Sequence, residues 1–491
     1  MEQNMPIKRT DGDTSFKEGN EESIRDALIK RGFTLEDNST NVTGFNANYF
    51  VDYVKTKIKI LFGKDDFFYS YKKSVWKRVE ENTILKYLRN TLQKPKFGIW
   101  RSSYEKEYIT TLKREIYYSE EMNPFKYIIN MQNGVFDINT LEFLPHDAKY
   151  LSTIQIPVEY NPEATCPSFL KFLDEVFQGD PERIAVTQEW FGYSLTTETK
   201  AQKALILFGT GANGKGVFID ILSSLIGEDN ISYIPLNELN KGFSRVCLYG
   251  KTANISSENE ADGKGINTQY FKAIVGEDMI NAEQKGKPVF SFKPTVKMYL
   301  SMNNLPSTRD QSTGYYRRLM ILHFNVFFSE AKRDKDLKDK LKSELPGIFL
   351  WSIEGLKRLQ KQNYEFSYCK SMCEIIDQYK LSQNPMLEFF NEFIIPESDS
   401  TYRENNKNVY DYFKTWAASN GHKGFAAIST QKFWSLFEAT AKEKAYSFKT
   451  GRSDKFRYHT GIRLVKADTL KFHKKAPNDD FSELEDFSEL E

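Results

Sequence analysis

Residues 204–225 read ALILFGTGANGKGVFIDILSSL. The opening run, Ala204 to Phe208, is short and continuously apolar, as a strand buried on both faces would be, and Val217 to Leu225 reads as a helix. Between them, Gly209-Thr210-Gly211-Ala212-Asn213-Gly214-Lys215 satisfies G-x-x-x-x-G-K in the strand-loop-helix setting that the motif requires. Glycines at these places let backbone N–H groups turn inward on phosphate oxygens, the helix N-terminus adds a favourable dipole, and Lys215 has the reach for β- and γ-phosphates. The expected ligand is ATP with Mg²⁺. The residue after the lysine is usually a Ser or Thr whose hydroxyl ligates the metal, but here it is Gly216, which leaves the metal to acids or water. A glycine-rich turn that binds nothing is the plain alternative, and the lysine and the strand context tell against it.

Further apolar runs at 253–255, 296–302 and 319–324 alternate with helical or loop segments, so the middle third reads as an α/β sheet core. The first leads into Ser256-Ser257-Glu258-Asn259-Glu260, placing carboxylates at a strand's C-terminal end, where such sheets present their ligands. Glu258 is the first choice for the metal and Glu260 for polarising water. The two roles are interchangeable on sequence, and an exposed acidic turn would look the same. The second run ends at Asn303-Asn304, where a side-chain amide, Asn303 before Asn304, is placed to orient water or touch the γ-phosphate. Arg317 and Arg318, in Gly314-Tyr-Tyr-Arg-Arg318, are candidates for a guanidinium supplied to a neighbouring subunit's phosphate; a surface arginine pair is the alternative.

The ordered set GTGANGKG, ISSENE, FKAIVGEDMINAEQKGKPVFSFKP, MYLSMNNLP and GYYRRLMILHF resembles the superfamily 3 helicases of the poxvirus and phage or plasmid primase type. The likeness runs over residues 60–370, through NGVFDINTLEFLPHDAKYL upstream and ELPGIFLWSIEGLKRL downstream. In finer detail it is similar to the replication initiator helicases of staphylococcal pathogenicity islands. The resemblance implies an AAA+ P-loop ATPase core, a homo-hexameric ring with ATP between subunits, and 3′ to 5′ movement on single-stranded DNA. It also implies that Lys215 is the Walker A lysine, Glu258 and Glu260 the Walker B acids, Asn303 sensor 1, and Arg317 or Arg318 the arginine finger. Between 276 and 292 the family carries a hairpin that enters the ring's pore, with Lys285-Gly286-Lys287 at its turn here. Lys285 and Lys287 are then candidates to track DNA phosphates, although a solvated hairpin tip would read alike. Larger relatives fuse a primase-polymerase domain ahead of the helicase; the stretch before Asn133 is too short for one, so priming is expected to need a separate protein.

Composition is that of an ordinary globular chain: 491 residues, 40% apolar, with 68 Lys and Arg against 67 Asp and Glu, so overall charge names no partner. About three domains are expected at this length. Four cysteines suit a reducing interior, and without an apolar leader or a membrane-length run the expected location is cytoplasmic. Cys369 and Cys373 lack nearby histidines, which disfavours zinc and favours helix packing.

The expected order is a polar, disordered stretch over 1–40, an α+β and helical collar region over 41–195, the ATPase core over 196–330, a helical extension over 331–380, a winged helix over 381–475 and an acidic tail over 476–491. Ile60 to Val79 and IINMQNGVFDINTLEFLPH read as hairpins. In the C-terminal part, a helix from Ser429 to Ala441 is followed by strand-like KAYSFKT and KFRYHTGIRLV around Gly451-Arg-Ser-Asp454, the layout of a recognition helix and a basic wing. Residues 442–475 hold 11 Lys and Arg against 3 Asp and Glu, an excess of eight, which is the footprint of a DNA-binding face. Gln431, Lys432, Lys449, Arg452, Lys455 and Arg457 are the candidate contacts to duplex DNA at a replication origin; assembly alone, or DNA contact without sequence preference, is the alternative. The tail, with its repeated FSELE, reads either as a solvated end that limits stray DNA binding or as a docking peptide. The leading functional reading is an ATP-dependent replication initiator helicase. The other is an ATP-switched DNA-binding or assembly protein that does not unwind. A metabolic P-loop kinase leaves the basic C-terminal segment unexplained.

Overall fold

The computed structural model describes residues 21–256, 268–286, 288–306, 308, 310, 312–330 and 334–466. It divides into two compact units. The first comprises the chain to residue 259, 269–303 and 323–369; the second comprises 260–268, 304–322 and the chain from 370 on.

The first unit opens with a mixed sheet in the order Val75–Val79, Phe68–Lys72, Ile60–Gly63, Tyr117–Ser119. Lys73 (φ 50°) and Ser74 (φ 66°) both take left-handed backbone, the two-residue turn whose twist suits a hairpin. Helix Glu81–Gln93 presents Ile84, Leu88 and Leu92 at four-residue spacing. With Phe50, Val54, Tyr108 and Leu112 they form one core. The expectation of disorder to residue 40 fails from residue 21 onward: Glu21–Ile29 is a helix and Phe33–Leu35 pairs with Val42–Phe45. Two well-placed apolar groups, Leu28 and Phe33, are buried there, enough to dock a short polar helix. Residues 1–20 lie outside the described residues. The second hairpin region is a three-stranded meander of Ile128–Asn130, Val135–Asp137 and Phe143–Leu144.

Four strands of the first unit make a parallel ladder in the order Ile231–Ser232, Ala253–Ser256, Lys297–Met302, Ala204–Phe208. Nearly every residue in them is buried, as in a sheet covered on both faces. Helix Pro181–Ser194 starts on Asp180, which accepts N–H bonds from Glu182 and Arg183, and has Pro181 in its first turn. It crosses helix Leu345–Lys361 so closely that a Cβ at Gly192 or Gly355 would run into the other helix's backbone. Arg358 seals the crossing, donating to Glu189 (2.7 Å), Gln188 (2.8 Å) and the Ala185 carbonyl (2.8 Å).

The second unit has its own core, in which Phe389, Phe390, Phe393, Phe413, Phe433 and Phe437 come from helices Pro385–Phe393, Asn406–Ser419 and Thr430–Glu443. A small antiparallel sheet runs Glu404–Asn405, Arg457–Thr460, Lys449–Arg452. The strand expected over 444–450 starts only at Lys449, and the turn falls at 453–456 rather than 451–454 because Arg452 pairs with Arg457. Of the two close cysteines, Cys369 is buried just ahead of helix Lys370–Gln383 and Cys373, on that helix, is exposed, so the expected packing on one helix holds for neither. No cluster of His, Cys, Asp or Glu fit for a metal, and no helix long and apolar enough to cross a membrane, occurs among the described residues.

Candidate nucleotide-binding site and nucleic-acid face

The loop leaving Phe208 has left-handed backbone at Gly209 (φ 153°), Gly211 (φ 103°), Ala212 (φ 50°) and Gly214 (φ 92°). Alternation of this kind turns successive N–H groups to one side, which makes a concave anion cradle. At Gly209 a side chain would strike the Phe324 carbonyl, and at Gly214 the side chain of Val176; at Gly211 and Gly216 it would meet nothing within 4 Å. The glycines are thus required on the packed side and open on the other, which fits a phosphate-sized ligand. Asn213 is 3% exposed and braces the loop, its Nδ2 donating to the Phe324 carbonyl (3.0 Å) while its Oδ1 accepts from the Lys215 N–H (3.4 Å). The Phe328 N–H adds a bond to the Ala212 carbonyl (2.8 Å). No residue pattern announces the brace from 324–328, because it acts through the Phe324 carbonyl and the Phe328 N–H.

Lys215 begins helix Lys215–Ile226. Its Nζ donates to the Met302 carbonyl (3.0 Å), to Asn303 Oδ1 (2.9 Å) and to the Gly209 carbonyl. Two residues 88 apart in sequence therefore meet because Ala204–Phe208 and Lys297–Met302 are register partners, with Phe208 opposite Met302. Burial lowers the Lys215 pKa. Thr210 follows Gly209 at the mouth of the loop, and Gly216 is exposed on the helix's first turn. Ser256 ends the neighbouring strand, buried, two positions short of Glu258. Glu258 and Glu260 lie outside the described residues, as does Lys287.

Lys285, exposed, and Gly286 (φ 76°) sit between Ile280–Ala282 and Phe290–Phe292, which pair antiparallel. Arg317 and Arg318 belong to the second unit and follow the short helix Thr313–Tyr316, capped by Ser312. Arg317 is exposed; Arg318 Nη1 turns back to the Gly314 carbonyl (2.5 Å). Asn304, the second asparagine, is exposed and also falls in the second unit. In the C-terminal part Gln431, Lys432, Lys449, Arg452, Lys455 and Arg457 are all exposed. Arg452 stands directly opposite Arg457 across the hairpin, an arrangement of like charges that costs stability unless an anion sits on it.

Sequence reasoning passed over Lys297. Its side chain is fully buried, its Nζ donates to the Thr196 carbonyl, and burial pushes its pKa down to about 7. The available signal was a lysine heading the otherwise apolar KMYLSM.

Two families match parts of the chain: one described as "D5 N terminal like" over residues 47–178, and a "Family of unknown function (DUF5906)" over 207–318. The second span contains the loop, Asn303 and both arginines. A protein of Acanthamoeba polyphaga mimivirus named "Putative helicase L207/L206" is 23% identical over 330 residues, covering 60% of this chain and 33% of that protein. "Putative helicase 022R" of Frog virus 3 (isolate Goorha) is 21% identical over 244 residues, covering 45% of this chain and 25% of that protein. The chain thus spans about a third or less of these relatives. Among solved structures, two apo forms of the NrS-1 C terminal region align with TM-scores of 0.51 and 0.52 at 11% and 12% identity. They cover 84% and 85% of this chain, and 99% and 100% of theirs. The mixed α/β fold with its parallel sheet is shared with that region. Together the matches show likeness to viral proteins named putative helicases and a fold in common with the NrS-1 C terminal region.

Proposed function

We propose that this chain is an ATP-dependent DNA helicase of replication initiation, with an AAA+ core of the superfamily 3 kind. The observation that carries the reading is the meeting of Lys215 and Asn303 beneath a left-handed glycine loop at the C-terminal ends of parallel strands. The helicase names of the viral relatives support it. The loop amides and Lys215 would hold the β- and γ-phosphates of ATP, and Asn303 would position the attacking water. Glu258 would hold Mg²⁺ and Glu260 polarise that water; bound magnesium supplies charge neutralisation on the phosphates. Since Arg318 folds onto its own helix and Arg317 is exposed, Arg317 is the better finger for a neighbouring subunit's nucleotide in a hexameric ring.

The exposed cations of the C-terminal part, above all the facing pair Arg452 and Arg457, support a winged helix that binds duplex DNA at an origin. Lys285 and Lys287 would follow single-stranded DNA through the ring, 3′ to 5′, with a separate primase making primers in the cytoplasm. The test is ATP-driven separation of a forked DNA duplex by the wild type and by Lys215→Ala, with ATP turnover assayed in parallel. Unwinding by the wild type and neither activity in the variant is the expected result. A second reading, an ATP-switched DNA-binding assembly protein, is favoured by Gly216, which offers the metal no hydroxyl. It takes over if the wild type binds ATP and DNA and never unwinds.

A further inference from the structure

The arginine-bearing segment 312–318 falls in the same compact unit as the C-terminal module, and a buried tyrosine cluster ties it there. Tyr379, on helix Lys370–Gln383, is 3% exposed and donates its hydroxyl to the Pro306 carbonyl at 2.6 Å. The same oxygen lies 3.5 Å from the hydroxyl of Tyr315, and its ring meets that of Tyr316 edge-on, centroids 5.8 Å apart. Tyr315 and Tyr316 are the last turn of the short helix that delivers Arg317. At the helix end, Gln383 Oε1 accepts the Thr308 N–H (3.1 Å). Ahead of the arginines, Asp310 Oδ1 accepts from the Ser312 hydroxyl (2.6 Å) and its Oδ2 from the Thr268 hydroxyl.

From that same end, helix Lys370–Gln383 continues through Asn384, which caps helix Pro385–Phe393. Phe390 of that helix packs against Phe437 with the rings tilted and their centroids 5.0 Å apart, and Phe437 belongs to helix Thr430–Glu443, which carries Gln431 and Lys432. The basic helix is thus joined to the segment holding Arg317 by the Phe390–Phe437 ring contact, by the chain itself through Asn384, and by the tyrosine cluster around Tyr379. Side chains packed this tightly shift between discrete arrangements rather than deform continuously.

We infer that Tyr379 is a positioning residue: it sets the placement of Arg317 and makes that placement respond to nucleic acid bound on the C-terminal module. The inference rests on the proposed assignment of Arg317 and of the basic face. Tyr379→Phe keeps the ring and removes the bond to Pro306; Gln383→Ala removes the second tie without touching the cluster. The experiment uses the full chain with a random-sequence DNA duplex as probe, and reads hydrogen exchange of amides 312–318 alongside ATP turnover. In the wild type, DNA slows exchange there by about fivefold or more. In both variants duplex affinity and the KM for ATP stay unchanged, while the exchange response is lost and kcat with DNA falls by about fivefold or more. The relay is overturned if wild-type exchange at 312–318 ignores bound DNA, or if both variants keep the full response. A Tyr379-dependent exchange response in a protein that turns over no ATP leaves the relay standing and sinks the helicase reading instead.

Discussion

Replacing Gly216 by serine should give the loop the hydroxyl it lacks. Gly216 is exposed in the first turn of helix Lys215–Ile226, its φ is not left-handed, and a Cβ there meets no atom within 4 Å. The substitution therefore carries no steric penalty. Helix propensity favours it by about 0.4 kcal/mol, which raises the melting temperature by about 1 °C or less in a unit of this size. The functional effect is larger. A hydroxyl that replaces a water on magnesium is worth about 1 kcal/mol, the net value of one good polar contact. That corresponds to about a fivefold drop in the Mg²⁺ concentration giving half-maximal ATP turnover. The assay is a magnesium titration of ATP turnover for wild type, Gly216→Ser and Gly216→Ala. The alanine variant controls for helix propensity, being at least as stable as the serine variant yet showing the wild-type magnesium dependence. A folded, nucleotide-binding Gly216→Ser protein whose half-maximal Mg²⁺ concentration equals that of the wild type would refute the placement of residue 216 beside the metal.

Three further outcomes follow from the packing and charge. Gly355→Ala normally gains about 1 kcal/mol in a helix, but here the new methyl meets the backbone of Gln188 and Glu189, an overpacking cost of about 3 kcal/mol; denaturant unfolding should show a net loss of about 2 kcal/mol. His459 is 1% exposed, stacks on Trp434 at 4.4 Å, and burial lowers its pKa from 6.5 to about 4. The neutral ring is the folded form, so its contribution is whole above pH 6.5 and drains away as pH falls toward 4. At pH 5 the loss is about 2 kcal/mol, readable as faster hydrogen exchange over residues 385–465; exchange that stays flat from pH 7 to 5, corrected for intrinsic rates, counts against it. Arg452→Ala should weaken DNA binding, lower the salt slope by about one unit, and leave the melting temperature unchanged or higher because Arg457 loses a like-charged neighbour.

The loop and three of the four parallel strands were legible because each is a local pattern, glycines at fixed offsets for the loop and a continuous apolar run for the strands; Ile231–Ser232, only two residues long, offers no such run. Ala204 to Phe208 is a strand to the residue. Helix Pro181–Ser194 carries a start signal of the same local kind in Asp180 and Pro181. What escaped depends on partners far along the chain. Lys297 is buried because the Thr196 carbonyl lies 101 residues away in sequence, and Arg183 because it reaches the His323 carbonyl (3.1 Å) and Asn325 (3.1 Å). Glu21–Ile29 reads as part of a disordered stretch because a single buried leucine, Leu28, gives no periodicity to read. The tie from Tyr379 to Pro306 joins a helix to an irregular segment, and no spacing rule announces such a pair.

The near equality of 68 basic and 67 acidic residues conceals how charge is arranged. Residues 442–475 carry an excess of eight positive charges, and the tail from 476 to 491 carries seven acids and no base. At physiological salt a charge is felt over about 8 Å, so a nucleic acid at the hairpin responds to Lys449, Arg452, Lys455 and Arg457 and not to the chain's net charge. The same local rule bears on Arg452 and Arg457. Were the hairpin a passive scaffold, one of these facing positions would be better filled by an acid, which would turn repulsion into attraction across the strands. Under the proposed function, two guanidiniums there would give up hairpin stability for an anion's approach. On that reading, the occupied face would be the state for which these residues are suited.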